Sequence, residues 1–313
     1  MLVSLIEKAV NRMGAVGSSV APAVEGQPVK VEGASTSSIE AAVVASRVDP
    51  ANAANTSRPV PVEQSQARQL TVDLERLASL GFLVPDAEKT QIAEEFRVIK
   101  RPLITNVQAA DARERHRNLI MVTSSLPGEG KSFCALNLAL SIAMERDITV
   151  MLVDADVAKP SVLNNLGLRA EAGLMDLLLD HSLQVGDVLL KTSIEKFSIL
   201  PAGRRHKHAT ELLASEGMAR LLDEIANRYP DRIVIFDSPP LLVTSEAREL
   251  AAHMGQVVMV VEAGRTSQEA VNEALSYLEV CDIVNLLMNK TEAMVGMDGY
   301  GGYGYGYGHQ SKD

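Results

Sequence analysis

The stretch Leu119 to Ser132, LIMVTSSLPGEGKS, decides how the rest of the chain is read. Its first six residues form a nearly unbroken apolar, β-branched run, as expected of a strand covered on both faces. Gly128 and Gly130 then supply backbone without side chains, and a helical pattern begins near Lys131 and runs to Ala143. Strand, glycine turn and helix start in that order make a phosphate cradle. Glycines let the backbone wrap closely, and the first turn of the helix offers unpaired N–H groups to anionic oxygens. Lys131 adds a positive charge toward the β and γ phosphates, and Ser132 a hydroxyl for Mg²⁺. Pro127, Gly128, Glu129, Gly130, Lys131, Ser132 and Phe133 are therefore the candidates for nucleotide binding. The pattern G-x-x-x-x-G-K-[ST] is met except at its first glycine, which is Ser125 here.

Outward from this loop, short apolar runs alternate with helical patterns. ITVMLVD, FSILP, RIVIFD, QVVMVV and IVNLLMN read as further strands, and Lys131 to Ala143, Ala209 to Tyr229, Glu246 to Ala252 and Ser267 to Val280 as helices. Such alternation predicts an α/β fold of the P-loop NTPase type, a mostly parallel sheet flanked by helices on both faces. Two of these strands deliver carboxylates to their carboxyl ends: Asp154 and Asp156 in VMLVDADVAKP, and Asp237 in RIVIFDSPP. Ligands of open parallel sheets collect at that edge. One aspartate after a strand is often only a helix cap, but three beside a phosphate loop are better explained as Mg²⁺ ligands and organisers of phosphoryl transfer. Lys131, Asp154, Asp156 and Asp237 are the catalytic candidates, with Ser132, Asp154 and Asp237 as the metal ligands.

The remaining organisation is set by composition. Residues 1–14, MLVSLIEKAVNRMG, are amphipathic and too charged for a signal-peptide core, so a short retained helix is expected, with a helix that docks a partner or a membrane surface as the sharper alternative. Residues 15–66 have the Ala, Val, Ser, Pro and Gly mixture of a tether. Residues 67–104 form a lead-in whose helix, with Ile92, Phe96 and Ile99 in phase, is expected to stop at Pro102. The P-loop domain spans 105–292, and the Gly/Tyr-rich segment 293–313 cannot pack a core. Within that segment Tyr300, Tyr303, Tyr305 and Tyr307 alternate largely with glycine, which suits either an extended substrate segment or a weakly associating low-complexity tail.

Charge and cysteine content exclude other classes. A net charge of -10 without a basic stripe argues against nucleic-acid binding. Cys134 and Cys281 lie in apolar segments without metal-ligand spacing and read as reduced core residues of a cytoplasmic protein. No run approaches the roughly 18 apolar residues that span a membrane. His206 and His208 sit in the basic loop GRRHKHAT, a solvated loop or an anion contact.

With these segments in hand, the chain resembles the bacterial tyrosine kinases of capsule and exopolysaccharide synthesis, and most closely the stand-alone kinases of exosortase-linked loci. The resemblance covers Ala87 to the C-terminus. It rests on the Walker A segment SSLPGEGKS, the Walker A′ acids Asp154 and Asp156, the Walker B acid Asp237 in FDSPP, and the tyrosine cluster. AEEFRVIKRPL resembles the family's E-x-x-R-x-x-R oligomerisation helix, with Glu94, Arg97 and Lys100 at the three positions. The resemblance implies a Mg·ATP-dependent autokinase, Asp154 being nearest the attacking hydroxyl, and Tyr300, Tyr303, Tyr305 and Tyr307 as phosphoacceptors. It also implies a homo-oligomer recruited to the inner membrane by the cytoplasmic end of a polysaccharide co-polymerase. Asn289 resembles an adenine contact of related ATPases, although a strand-ending Asn is also an ordinary turn residue. Ala158 stands where the family's A′ segment carries Arg, with Lys159 next to it. The rival reading is a nucleotide-switched scaffold ATPase; the extra lysine of the partitioning and division-site ATPases is Leu126 here.

Overall fold

The computed structural model describes residues 69–85, 90–110, 116–228 and 231–291, which all fall in one compact unit spanning Glu63–Asp313. The N-terminal helix, the tether and the tyrosine tail lie outside the described residues. Seven strands form one sheet: β1 (Leu119–Ser124), β2 (Thr149–Asp154), β3 (Leu190–Lys191), β4 (Phe197–Leu200), β5 (Arg232–Asp237), β6 (Gln256–Glu262) and β7 (Val284–Asn289). Their order is β3-β4-β2-β5-β1-β6-β7. Every pairing is parallel except that of the two-residue β3 with β4. The expected parallel α/β sheet is therefore present, and each of the six strands read from apolar runs is in it.

Both faces are covered because the central strands are apolar along most of their length, with polar residues only at their ends, and β1 is buried throughout. On one face Ile120, Val122, Leu152 and Ile235 pack against α2 (Gln91–Gln108) and α3 (Lys131–Ala143). On the other, Met121, Met151, Val153 and Phe236 meet residues of α5 (Leu174–Leu179), α8 (Glu216–Arg228) and α9 (Ser245–Ala251). The smaller helices are α1 (Leu74–Ser79), α4 (Val162–Asn165), α6 (Val185–Val188), α7 (Ala209–Leu213) and α10 (Gln268–Ser276). Among the described residues no helix is long and apolar enough to cross a membrane.

Three helical expectations are corrected. Helix α2 does not stop at Pro102 but runs through it to Gln108. The bond that proline forfeits, to the carbonyl four residues back at Val98, lies on an exposed turn where water can replace it, while Leu103 and Ile104 just beyond are buried. The pattern from Ala209 divides into α7 and α8, with Ser215 at the break accepting from the Met218 N–H through its hydroxyl. The helix from Ser267 begins as expected, capped by the Ser267 hydroxyl on the Ala270 N–H, but ends at Ser276.

Candidate active site

The site is assembled at the carboxyl ends of three adjacent strands. β1 ends at Ser124 and leads into the loop; β2 ends at Asp154 and β5 at Asp237, and these two aspartates are direct register partners across the β2–β5 ladder. That register brings together two carboxylates 83 positions apart in the chain. In the loop, Gly128 and Gly130 have φ of 89° and 97°, the left-handed region that favours glycine. A Cβ on Gly130 would also collide with the Asn289 side chain. Ser125 has no such φ, so the missing first glycine is not needed for this backbone. Its side chain is buried and its carbonyl accepts from the Leu242 N–H.

Lys131 Nζ reaches Asp156 Oδ2 at 2.8 Å and lies 3.5 Å from the Ser132 hydroxyl. Burial works against the lysine charge, but Asp237, Asp156 and Asp154 outweigh it and raise its pKa. Asp156 also accepts the Lys159 N–H at Oδ1, 3.1 Å away. Asp154 Oδ2 accepts two N–H groups, from Ser161 and Val162, each at 3.0 Å. Its other oxygen, and both oxygens of Asp237, are buried without a hydrogen-bond partner. Burial, reinforced by Asp237, pushes the Asp154 carboxyl up to about 7. Burial likewise raises Asp237 to about 6, against the pull of the Lys131 charge and of the Ser132 hydroxyl, which approaches without completing a hydrogen bond.

Three buried carboxylate oxygens without partners are costly unless something occupies their focus. A divalent cation with phosphates fits that requirement, since Mg²⁺ is usually held by one or two carboxylates and completes its shell with phosphate and water. The side chains expected to hold it, Ser132, Asp154 and Asp237, stand together around Lys131. Among the described residues no three acidic, histidine or cysteine side chains form a cage of their own.

Other candidates are placed differently. Glu129 is buried, but its carboxylate faces back into the protein: it accepts the Leu126 N–H at 2.7 Å and the Thr266 hydroxyl. The Asn289 amide donates one hydrogen bond to the Glu129 carbonyl, 2.9 Å away, which sets the side chain against the phosphate loop. Lys159 is exposed beside Ala158. Glu94 and Arg97 pair with each other on the exposed face of α2, whereas Lys100 turns inward. Its ammonium donates to the Ser141 carbonyl at 2.6 Å and pairs with Glu145 at 2.8 Å. Lys100 therefore does not share the surface of the other two expected oligomerisation residues. Sequence reasoning missed Thr266, for which a polar residue ahead of a helix was the only signal, and Asp176. Buried at the start of α5, Asp176 accepts from the Gly173 N–H and pairs with Arg204 at 2.6 Å, anchoring the basic loop that holds His206 and His208.

Comparison with known proteins adds an independent line. The AAA domain family matches residues 117–289, more than half of the chain. The tyrosine-protein kinase YwqD of Bacillus subtilis is 33% identical over 204 residues, covering 64% of this chain and 82% of the relative. CapB of Staphylococcus aureus, a putative tyrosine-protein kinase, is 26% identical over 72% of this chain and 94% of its own length. Among solved structures, the VpsO kinase domain superposes with a TM-score of 0.51 at 29% identity, over 62% of this chain and 96% of that one.

Proposed function

The chain belongs to the bacterial tyrosine-protein kinases and is a protein-tyrosine kinase, and on that premise we propose that its own tail is the substrate. In this reading it transfers the γ-phosphoryl group of ATP to Tyr300, Tyr303, Tyr305 and Tyr307, in trans within a homo-oligomer, and so regulates exopolysaccharide polymerisation and export. The observation that carries the proposal is the convergence on one sheet edge of a phosphate loop, Lys131 and three buried carboxylates, two of which, Asp154 and Asp237, hold three unpartnered oxygens between them.

ATP enters with its phosphates on the N–H groups of the loop and the start of α3, and takes the place of Asp156 at Lys131. Mg²⁺, when bound by Ser132, Asp154 and Asp237, supplies charge that neutralises the transferring phosphoryl oxygens. Tyrosine is a weak nucleophile, with a pKa of about 10, so the residues act mainly by positioning. The tyrosine oxygen forms a bond to the γ-phosphorus as the bond to ADP breaks, and Asp154, nearest the attacking hydroxyl, guides the proton away. Each added phosphate brings about -1.5 to -2 charges, and several on one tail repel both one another and an acidic body, which loosens the oligomer. Family resemblance supports a partner, the cytoplasmic end of an inner-membrane polysaccharide co-polymerase, which would recruit the kinase peripherally to that membrane.

The test is incubation with Mg·ATP followed by mass spectrometry of the tail, in wild type and Lys131→Met, with and without the co-polymerase end. Phosphate on the four tyrosines of wild type alone is the expected result. Unmodified tyrosines in every wild-type reaction, despite bound ATP, would instead support a scaffold ATPase.

A further inference from the structure

The end of β7 and the residue after it reach across to the phosphate loop and take hold of its carbonyls. Asn289 donates to the Glu129 carbonyl, and Lys290 Nζ donates to the Gly128 carbonyl at 2.7 Å. Lys290 adopts φ of 56°, a left-handed conformation that a non-glycine residue keeps only where its surroundings hold it. Glu262, at the end of β6, lies 3.2 Å from the same ammonium and aims it. Because a trans peptide is planar, its C=O and N–H point in opposite directions. Fixing the Gly128 carbonyl outward therefore turns the Glu129 N–H inward, and fixing the Glu129 carbonyl does the same for the Gly130 N–H. Neither of these N–H groups makes a hydrogen bond among the described residues. A cation on the carbonyl also polarises the peptide and strengthens its N–H as a donor.

We propose that Lys290 is a positioning residue for phosphoryl transfer, clamping the Gly128–Glu129 peptide from behind so that its N–H faces the phosphates of ATP. The inference rests on the reading of this loop as the ATP site and deepens it. It assigns a role to a residue at the root of the tyrosine tail, two positions before residue 292. Nucleotide binding and the conformation of that root are consequently linked, and linkage of this kind is reciprocal.

The experiment uses the full chain as wild type, Lys290→Met, Lys290→Arg and, as reference, Lys131→Met. Mg·ATP affinity is measured by calorimetry and initial rates by autophosphorylation across ATP concentrations. The Lys290→Met chain is expected to bind ATP at least fivefold more weakly and to raise KM by a similar factor with kcat within twofold, the pattern of a lost uniform binding interaction. Lys290→Arg, which keeps a cationic donor, should return within twofold of wild type. Hydrogen exchange of residues 284–291 should slow on ATP addition in wild type but not in Lys290→Met. Tight ATP binding by wild type with an equal Kd in Lys290→Met overturns the clamp alone. Failure of wild type itself to bind ATP would defeat the reading of the site beneath it.

Discussion

At the residue scale, the site is built against the stability of the chain that carries it. Asp237 is fully buried with two unpartnered oxygens, and its carboxyl titrates at about 6 in the folded chain. An acid whose pKa is higher folded than unfolded takes up a proton on folding. Its penalty is therefore complete above pH ~6, shrinks as pH falls toward the ordinary aspartate value of ~4, and vanishes below it. Two pKa units correspond to roughly 3 kcal/mol, part of which relaxation returns. Asp237→Asn should thus stabilise the nucleotide-free protein at pH 7.5 by about 1–3 kcal/mol, or several degrees in Tm, and make its Tm profile between pH 5 and 7.5 less steep, the remaining slope coming from Asp154, which burial also raises. The same variant should lose tail phosphorylation by at least ~100-fold. Thermal melts across pH with parallel rate measurements check both; an unchanged or lower Tm at pH 7.5 would mean that Lys131 already neutralises the group in the apo protein.

At the scale of elements, the difference between Lys100 and its helix neighbours can be tested directly. Glu94 and Arg97 form an exposed i,i+3 pair, and such pairs contribute only about 0.3–0.5 kcal/mol to stability. Lys100 ties α2 to α3 through a buried bond to the Ser141 carbonyl and its pairing with Glu145. Lys100→Ala should therefore cost about 2–3 kcal/mol in denaturant unfolding, whereas Glu94→Ala and Arg97→Ala together should stay within about 1 kcal/mol yet, on the proposed reading of α2 as an assembly helix, lower the sedimentation coefficient. Equal losses from both substitutions would mean that α2 acts as one structural unit. The inward turn of Lys100 was not legible because a lysine in an amphipathic helix is ordinarily solvated. Long apolar runs made six strands legible, since period and length identify buried strands locally. The two-residue β3 and the four-residue α4 and α6 are shorter than any period and are held by tertiary contacts instead. Likewise the motif residues Lys131, Asp154 and Asp237 could be read from the chain, but the register that sets Asp154 opposite Asp237 depends on strand order, which no local pattern encodes.

At the scale of the whole molecule, the question is whether donor site and acceptor belong to one chain or two. The last described residue is Thr291, and the tyrosines begin nine positions later. Nine residue steps can span at most about 30 Å, and Lys290, one residue before Thr291, already touches the phosphate loop at the Gly128 carbonyl. Reach alone therefore permits transfer in cis as well as in trans, and the order of the reaction must distinguish them. Mixing a chain truncated after residue 291, active but without acceptors, with full-length Lys131→Met, which has acceptors but no functional phosphate lysine, isolates the trans route. Phosphate is expected on the Lys131→Met tail, at an initial rate that rises in proportion to the concentration of truncated chain. Adding Glu94→Ala and Arg97→Ala to both partners should lower that rate at least fivefold if α2 brings the neighbours together. If the mixture stays unmodified while wild type phosphorylates itself at a rate independent of dilution, transfer occurs within one chain. The exposed Glu94–Arg97 pair would then have to serve some other contact.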